Sequence, residues 1–138
     1  MRKSAVMLLV GAVLISGCAT GGGVRNANRE KTNHLSIGMT KADVTKLMGT
    51  ETVTVNLSGV GYLWADSYEK ISSPYRTETL QGKDKVFEVW YYYTDLKNTD
   101  GAITDDELMP VVFDDGKLIG WGCSFLEDNK NKYEIRVR

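Results

Sequence analysis

From residue 35 onward the chain alternates short apolar patterns with turn residues. In "LSIGMTKADVTKLMGT" (35–50), Val44, Leu47 and Met48 recur at helical spacing, which predicts a helix of about two turns over 41–48. Its boundaries are marked in the same stretch. Thr40 is placed as N-cap, Asp43 as its capping-box partner, Met39 and Val44 as a hydrophobic staple, and Gly49 as the stop. Isolated helices below about 12 residues are marginal in water, so this one has to dock on something.

The remaining pattern has period two. "ETVTVNL" (51–57) alternates, with Val53, Val55 and Leu57 on one side. "KVFEVWYYYT" (85–94) sets Phe87, Val89, Tyr91 and Tyr93 against Glu88, Trp90 and Tyr92. "LMPVVFDDGKLIGWGCSF" (108–125) reads as a β-hairpin about Asp115-Gly116, a pair favoured in two-residue turns. In that register Met109, Val111, Phe113, Leu118, Gly120 and Gly122 share one face. Leu108, Pro110, Val112, Ile119, Trp121 and Cys123 share the other. Residues 131–138 read as a last edge strand, with Tyr133, Ile135 and Val137 alternating with charges.

Between 58 and 84 the pattern is weak: "GVGYLW" reads as a strand, "ADSYEKI" as a helical turn and "SSPYR" as a turn. The expected class is α+β, with one or two short helices on a small antiparallel sheet of at least three strands and a late β-hairpin. Both hairpin faces are apolar, and a two-turn helix covers only part of one. Segment 58–84 is expected to cover the second face; the alternative is an apolar patch kept for a partner.

The amino end has a different logic. In "MRKSAVMLLVGAVLISGC", Arg2 and Lys3 precede an uncharged run from Ser4 to Gly17, shorter than the about 20 residues of a membrane span. Residues 1–17 therefore read as a signal peptide. Ile15-Ser16-Gly17-Cys18 resembles the bacterial lipobox. The resemblance implies cleavage between Gly17 and Cys18, diacylglycerol on the Cys18 thiol, and acylation of the new amino group by palmitate-like chains. Each buried CH₂ of such chains contributes about 0.8 kcal/mol to anchoring. Ala19 follows where an aspartate would resemble an inner-membrane retention signal, so the expected location is the outer membrane, facing the periplasm. Residues 18–34 then read as the lipidated cysteine and a flexible tether. "ATGGGVRNANREKTNH" (19–34) is almost free of apolar residues and would reach about 55 Å when extended. Arg25, Arg29 and Lys31 are expected in that solvated linker rather than at lipid head groups. Residues 35–138 are expected to form a single domain.

Composition narrows the function classes. Removing residues 1–17 leaves 121 residues and moves the formal charge from −1 to −3, without the basic stripe of a nucleic-acid binder. With Cys18 lipidated, Cys123 has no partner in the chain, and it is expected as a small buried hydrophobe rather than a reactive thiol. His34, the one histidine, lies in the tether, where it cannot hold general-base geometry. No His/Cys cluster suits zinc, and Gly59-Val60-Gly61 lacks the third glycine of a phosphate loop. Asp105, Asp106, Glu107, Asp114 and Asp115 lie in turns, where acidic residues are common. In 96–107, Asn98, Asp100, Gly101, Ile103 and Glu107 fall on positions 3, 5, 6, 8 and 12 of a calcium loop, but Leu96 occupies position 1. The expected reading is a polar loop between strands, with no metal, no cofactor beyond the covalent lipid on Cys18, and no catalytic residue.

A lipobox cysteine, a polar linker, Ile37-Gly38-Met39-Thr40, a short helix ending Leu47-Met48-Gly49-Thr50, a Trp-Tyr strand and a late hairpin together resemble the small outer-membrane lipoproteins of the SmpA/OmlA, or BamE-like, family. The likeness is strongest at "IGMTKADVTKLMGT", weaker at "WYYY" (90–93) and "VVFDDGKLIG" (111–120), and covers about half of the mature chain. It implies a small α+β domain, helices against a three-stranded antiparallel sheet, and a place beside the machinery that inserts β-barrel proteins into the outer membrane. Glu51 replaces a proline common after the family's helix, and 58–84 is longer than in compact members, as in a divergent branch. The matching residues are those that build the fold, so no binding residue carries over.

The expected function is a non-catalytic, lipid-anchored periplasmic binding or scaffold lipoprotein. It would serve outer-membrane or envelope assembly and maintenance through contact with an envelope protein, with the membrane as its other partner. The alternative is a periplasmic inhibitor or small-ligand binder that uses Trp64, Trp90, Tyr92 and Trp121, the four candidate interface aromatics. Exposed aromatics lining a pocket favour the binder; flat, packed ones favour the scaffold.

Overall fold

The computed structural model describes residues 21–57, 68–98 and 100–135. Gly17, Cys18, the strand expected at 59–64 with Trp64, and residues 136–138 lie outside them. The elements run α1 (Gly21–Thr32), α2 (Lys41–Met48), β1 (Thr52–Asn56), β2 (Tyr68–Ser72), β3 (Arg76–Gln81), β4 (Val86–Tyr93), β5 (Leu108–Asp114), β6 (Lys117–Trp121) and α3 (Cys123–Lys132). A single 3₁₀ turn, Asp105–Glu107, precedes β5. The strands form an antiparallel sheet in the order β3-β4-β5-β6 and a separate β1-β2 pair, an α+β fold with a late hairpin.

β4 organises the core because both of its faces are apolar. Phe87, Val89, Tyr91 and Tyr93 pack with Val55 and Leu57 around β1, Ile71 of β2, Leu80 of β3 and Leu126 of α3. Tyr92 packs on the opposite face with Val111, Phe113 and Leu118, under Leu35 and the α2 residues Val44 and Met48. The second face is thus covered, in part by β2 from the weakly patterned 58–84 segment. The helical turn expected at "ADSYEKI" is instead β2 over 68–72, because pairing Val53 with Ile71 and Val55 with Glu69 overrides the local pattern.

α2 has the predicted bounds and cap. Thr40 N–H donates to Asp43 Oδ2 at 2.9 Å, and Asp43 N–H donates to Thr40 Oγ1 at 3.2 Å. A cap of this kind contributes about 1 kcal/mol. Gly49 takes φ 87° and its N–H donates to Thr45 O at 2.8 Å, a left-handed stop open to glycine. Residues 38–40 also close the sheet. Gly38 N–H donates to Leu118 O, and Leu118 N–H to Met39 O, both at 2.8 Å, which covers the outer edge of β6.

The tether expected over 18–34 is overturned from Gly21 on. α1 occupies Gly21–Thr32 despite its three opening glycines, each costing about 1 kcal/mol of helix propensity. Polar docking holds it. Buried Asn28 donates from Nδ2 to Tyr93 O at 2.9 Å, Arg25 to Tyr93 Oη at 2.9 Å, Arg29 to Thr94 O at 2.8 Å, and Lys31 to Met48 O at 2.8 Å. The three basic residues expected in a solvated linker are donors to the fold.

The hairpin turn stands as predicted, with Asp115 at φ 49° and Gly116 at φ 72°, the two positive values of a type I′ turn. The face assignment beyond it is corrected. Phe113 pairs with Leu118 but Val112 with Gly120, so Ile119 is an extra residue and the register slips by one. Gly120 therefore shares the Val112 face, and Trp121, paired with Val111, moves to the α2 face.

Over 131–135, the described part of the last edge strand expected at 131–138, that expectation is also overturned, because 123–132 form α3. Gly120 gives Phe125 its seat: a Cβ there would lie 2.5 Å from the Phe125 ring, so a larger residue would displace that ring beside buried Leu126. Tyr133 ends the helix against Phe87, ring centroids 5.2 Å apart. Cys123, expected buried, opens α3 as an exposed free thiol.

Candidate functional site

The bulge in β6 brings Trp121 onto the face of Val111, from which strict alternation along the hairpin had excluded it. Trp90 of β4 lies opposite Val111 of β5, and Val111 lies opposite Trp121 of β6. The two indoles therefore flank a buried valine in one cross-strand row, about 10 Å apart at two strand spacings. Tyr92 and Met109 form the next row. Val111 and Tyr92 are buried, whereas Trp90, Met109, Trp121, Met39 and Leu47 are half-buried around the same cluster. The result is a half-buried apolar margin along α2.

Polar contacts fix Trp90 in this row. Its ring tilts on Phe113 with centroids 4.8 Å apart, and its Nε1–H donates to Glu88 Oε1 at 2.6 Å. The other Glu88 oxygen pairs with Lys41 at the start of α2. Lys41 first, then Trp90, holds the Glu88 carboxyl below the ordinary carboxylate range against the opposing effect of burial. The same residues thus tie the α2 amino end to the indole.

Of the four candidate aromatics, Trp90 and Trp121 come together and keep exposed area. Tyr92 does not: it is fully buried beneath α2, and burial pushes its phenol up. Its hydroxyl has no hydrogen-bond partner among the described residues. Trp64 lies outside the described residues. Met39, Thr40, Asp43, Val44, Leu47, Met48 and Gly49 all occupy the structural positions predicted for them.

The loop that resembled a calcium site is organised by the protein's own donors. Glu107 is fully buried, and its Oε1 accepts the N–H groups of Lys97 at 2.6 Å and Asn98 at 3.1 Å. Its Oε2 accepts Thr104 N–H at 3.3 Å, and its backbone oxygen accepts the N–H groups of Thr94 and Asp95. Exposed Asp100 accepts Ala102 N–H at 3.1 Å. Glu107 is thus a loop clamp, a role signalled in sequence by Thr104-x-x-Glu107, the spacing of a capping box. His34 is exposed beyond the end of α1. Among the described residues, no three of His, Cys, Asp and Glu converge as a metal ion would require, and no helix is long and apolar enough to cross a membrane.

No curated protein and no solved structure matches this chain. The family described as "Protein of unknown function (DUF3192)" matches residues 22–128, from the first turn of α1 into α3. That span takes in α1, α2 and both sheets, well over half of the sequence, and the chain belongs to the DUF3192 family.

Proposed function

We propose that this chain is a non-catalytic lipoprotein, anchored in the outer membrane through Cys18 and facing the periplasm, that works as a binding or scaffold module in envelope assembly or maintenance. The observation that carries the reading is Ile15-Ser16-Gly17-Cys18, shortly ahead of an α+β domain whose first described helix is Gly21–Thr32. The likeness of "IGMTKADVTKLMGT" to the BamE-like lipoproteins supports the same reading, as a divergent branch with a fourth sheet strand and an added β1-β2 pair. The acting surface in this reading is the half-buried row of Trp90 and Trp121 with Met109. Both indoles are packed into the Val111 row and only half-exposed, which favours contact with a protein over capture of a small ligand.

Crosslinking in intact cells with mass spectrometry of the adducts tests the proposal. Outer-membrane or assembly proteins are expected among the adducts, and the Trp90→Ala variant should lose them while remaining folded. Recovery of no such protein above background sinks the reading.

A further inference from the structure

Cys18 and Gly21 are three residues apart, which fully extended chain spans in about 10 Å. From Gly21 onward the chain is a docked helix, not a joint. Val24 packs on the core, Arg25 and Asn28 bond Tyr93 at 2.9 Å, and Lys31 bonds Met48 O at 2.8 Å. The chain then turns through Leu35 N–H to Thr32 O at 3.2 Å, and buried Leu35 enters the α2-face cluster. From Val24 to Leu35 every turn of the chain carries a contact to the fold. Tyr93 and its partner Leu108 mark one end of the sheet, and the Asp115-Gly116 turn marks the other. Six strand steps separate Leu108 from Asp114, about 20 Å.

We propose that α1 is a rigid foot: it stands the domain directly on the bilayer with the Tyr93–Leu108 end against the lipid surface and the Asp115-Gly116 turn pointing away. This inference rests on lipidation of Cys18. Attraction to the membrane comes from the acyl chains, since Arg25, Arg29 and Lys31 already donate to the protein. The basic residues of α1 fix the angle rather than the affinity. A domain held this way presents a fixed flank to neighbours that are themselves at the membrane, whereas a tethered one would sweep a wide volume.

The chain supplies its own probe. With Cys18 lipidated, Cys123 is the remaining thiol; it is exposed, and its Sγ lies 3.8 Å from Leu108 O, at the end of the sheet bound by α1. The experiment uses the full-length lipidated protein on phosphatidylethanolamine–phosphatidylglycerol vesicles carrying an energy-acceptor lipid. One sample is labelled at Cys123, the other at position 115 in the Asp115→Cys, Cys123→Ser variant. Roughly twofold stronger quenching is expected at Cys123 than at position 115, ~20 Å further along the sheet. An insert of about ten Gly/Ser residues after Thr20, adding roughly 17 Å of flexible reach, should erase most of that difference. Protein that floats with the vesicles but quenches equally at both sites overturns the foot while leaving the anchor intact. Protein that does not float, or that floats equally well as Cys18→Ser, overturns the anchor and the foot together.

Discussion

α2 meets the sheet through Val44 and Met48, both fully buried, whereas α1 meets it through Asn28, whose amide donates to a strand carbonyl at 2.9 Å. α2 carries its own start signal in the Thr40–Asp43 box; α1 opens on three glycines with no acidic residue in its first turn. The two helices touch each other through Lys31 and Met48 O, where a cation caps the carbonyl end of α2. Burial of apolar surface is non-directional and tolerates small shifts, while a buried amide demands its acceptor. α2 should therefore be the energetic cover of the sheet, and α1 a directional but weaker clamp.

The largest expected effect comes from the apolar side. Met48→Ala empties a fully buried site and should cost about 2–5 kcal/mol, read as a fall in the urea midpoint. Asn28→Ala removes the central bond of α1 and should cost about 1–3 kcal/mol. Its signature is local: α1 amides should exchange faster with solvent while α2 amides stay protected. If both helices lose protection together, the contrast between them is wrong and they form one cooperative unit.

The smallest effect is electrostatic and belongs to α2. Glu88 is held low by Lys41 and Trp90, and Asp43 by the Thr40 hydroxyl and N–H. A carboxyl whose folded pKa is depressed contributes stability that is fully present above its unfolded value, about 4, and is lost as pH falls through the lower folded value. Stability should thus be level from pH 7 to 5 and decline below about 4. Lys41→Met should flatten part of that decline, and the half-exposed Lys41–Glu88 pair accounts for less than about 1 kcal/mol. A pH profile unchanged by Lys41→Met would remove Glu88 from the account.

The contrast also explains what could be read in advance. The cap, face and stop of α2, the two faces of β4 and the Asp115-Gly116 turn arise from spacing that repeats within a few residues. Three features escaped that reading. The face of α1 is made of Val24, Asn28 and Thr32, which hold one apolar residue among them, so no hydrophobic period marks it. β2 has only Ile71 fully buried and depends on β1 for its partner. α3 seats Phe125 in the gap left above Gly120, a fact about two segments at once. The candidate surface was legible only in part: Trp90 and Trp121 were singled out, but strict alternation put Trp121 on the face opposite Val111, and the extra residue Ile119 turns it over.

By itself the sequence determined the α+β class, the bounds of α2, the place of the two-residue hairpin turn and the double-faced core strand. Each rests on local periodicity or on a backbone angle that one residue pair favours. The tertiary structure decided that 21–32 is a docked helix, that 123–132 is a helix, and which face carries Trp121. Those outcomes depend on a carbonyl, a gap above Gly120 and a register offered by distant strands, and no run of neighbouring residues contains that information.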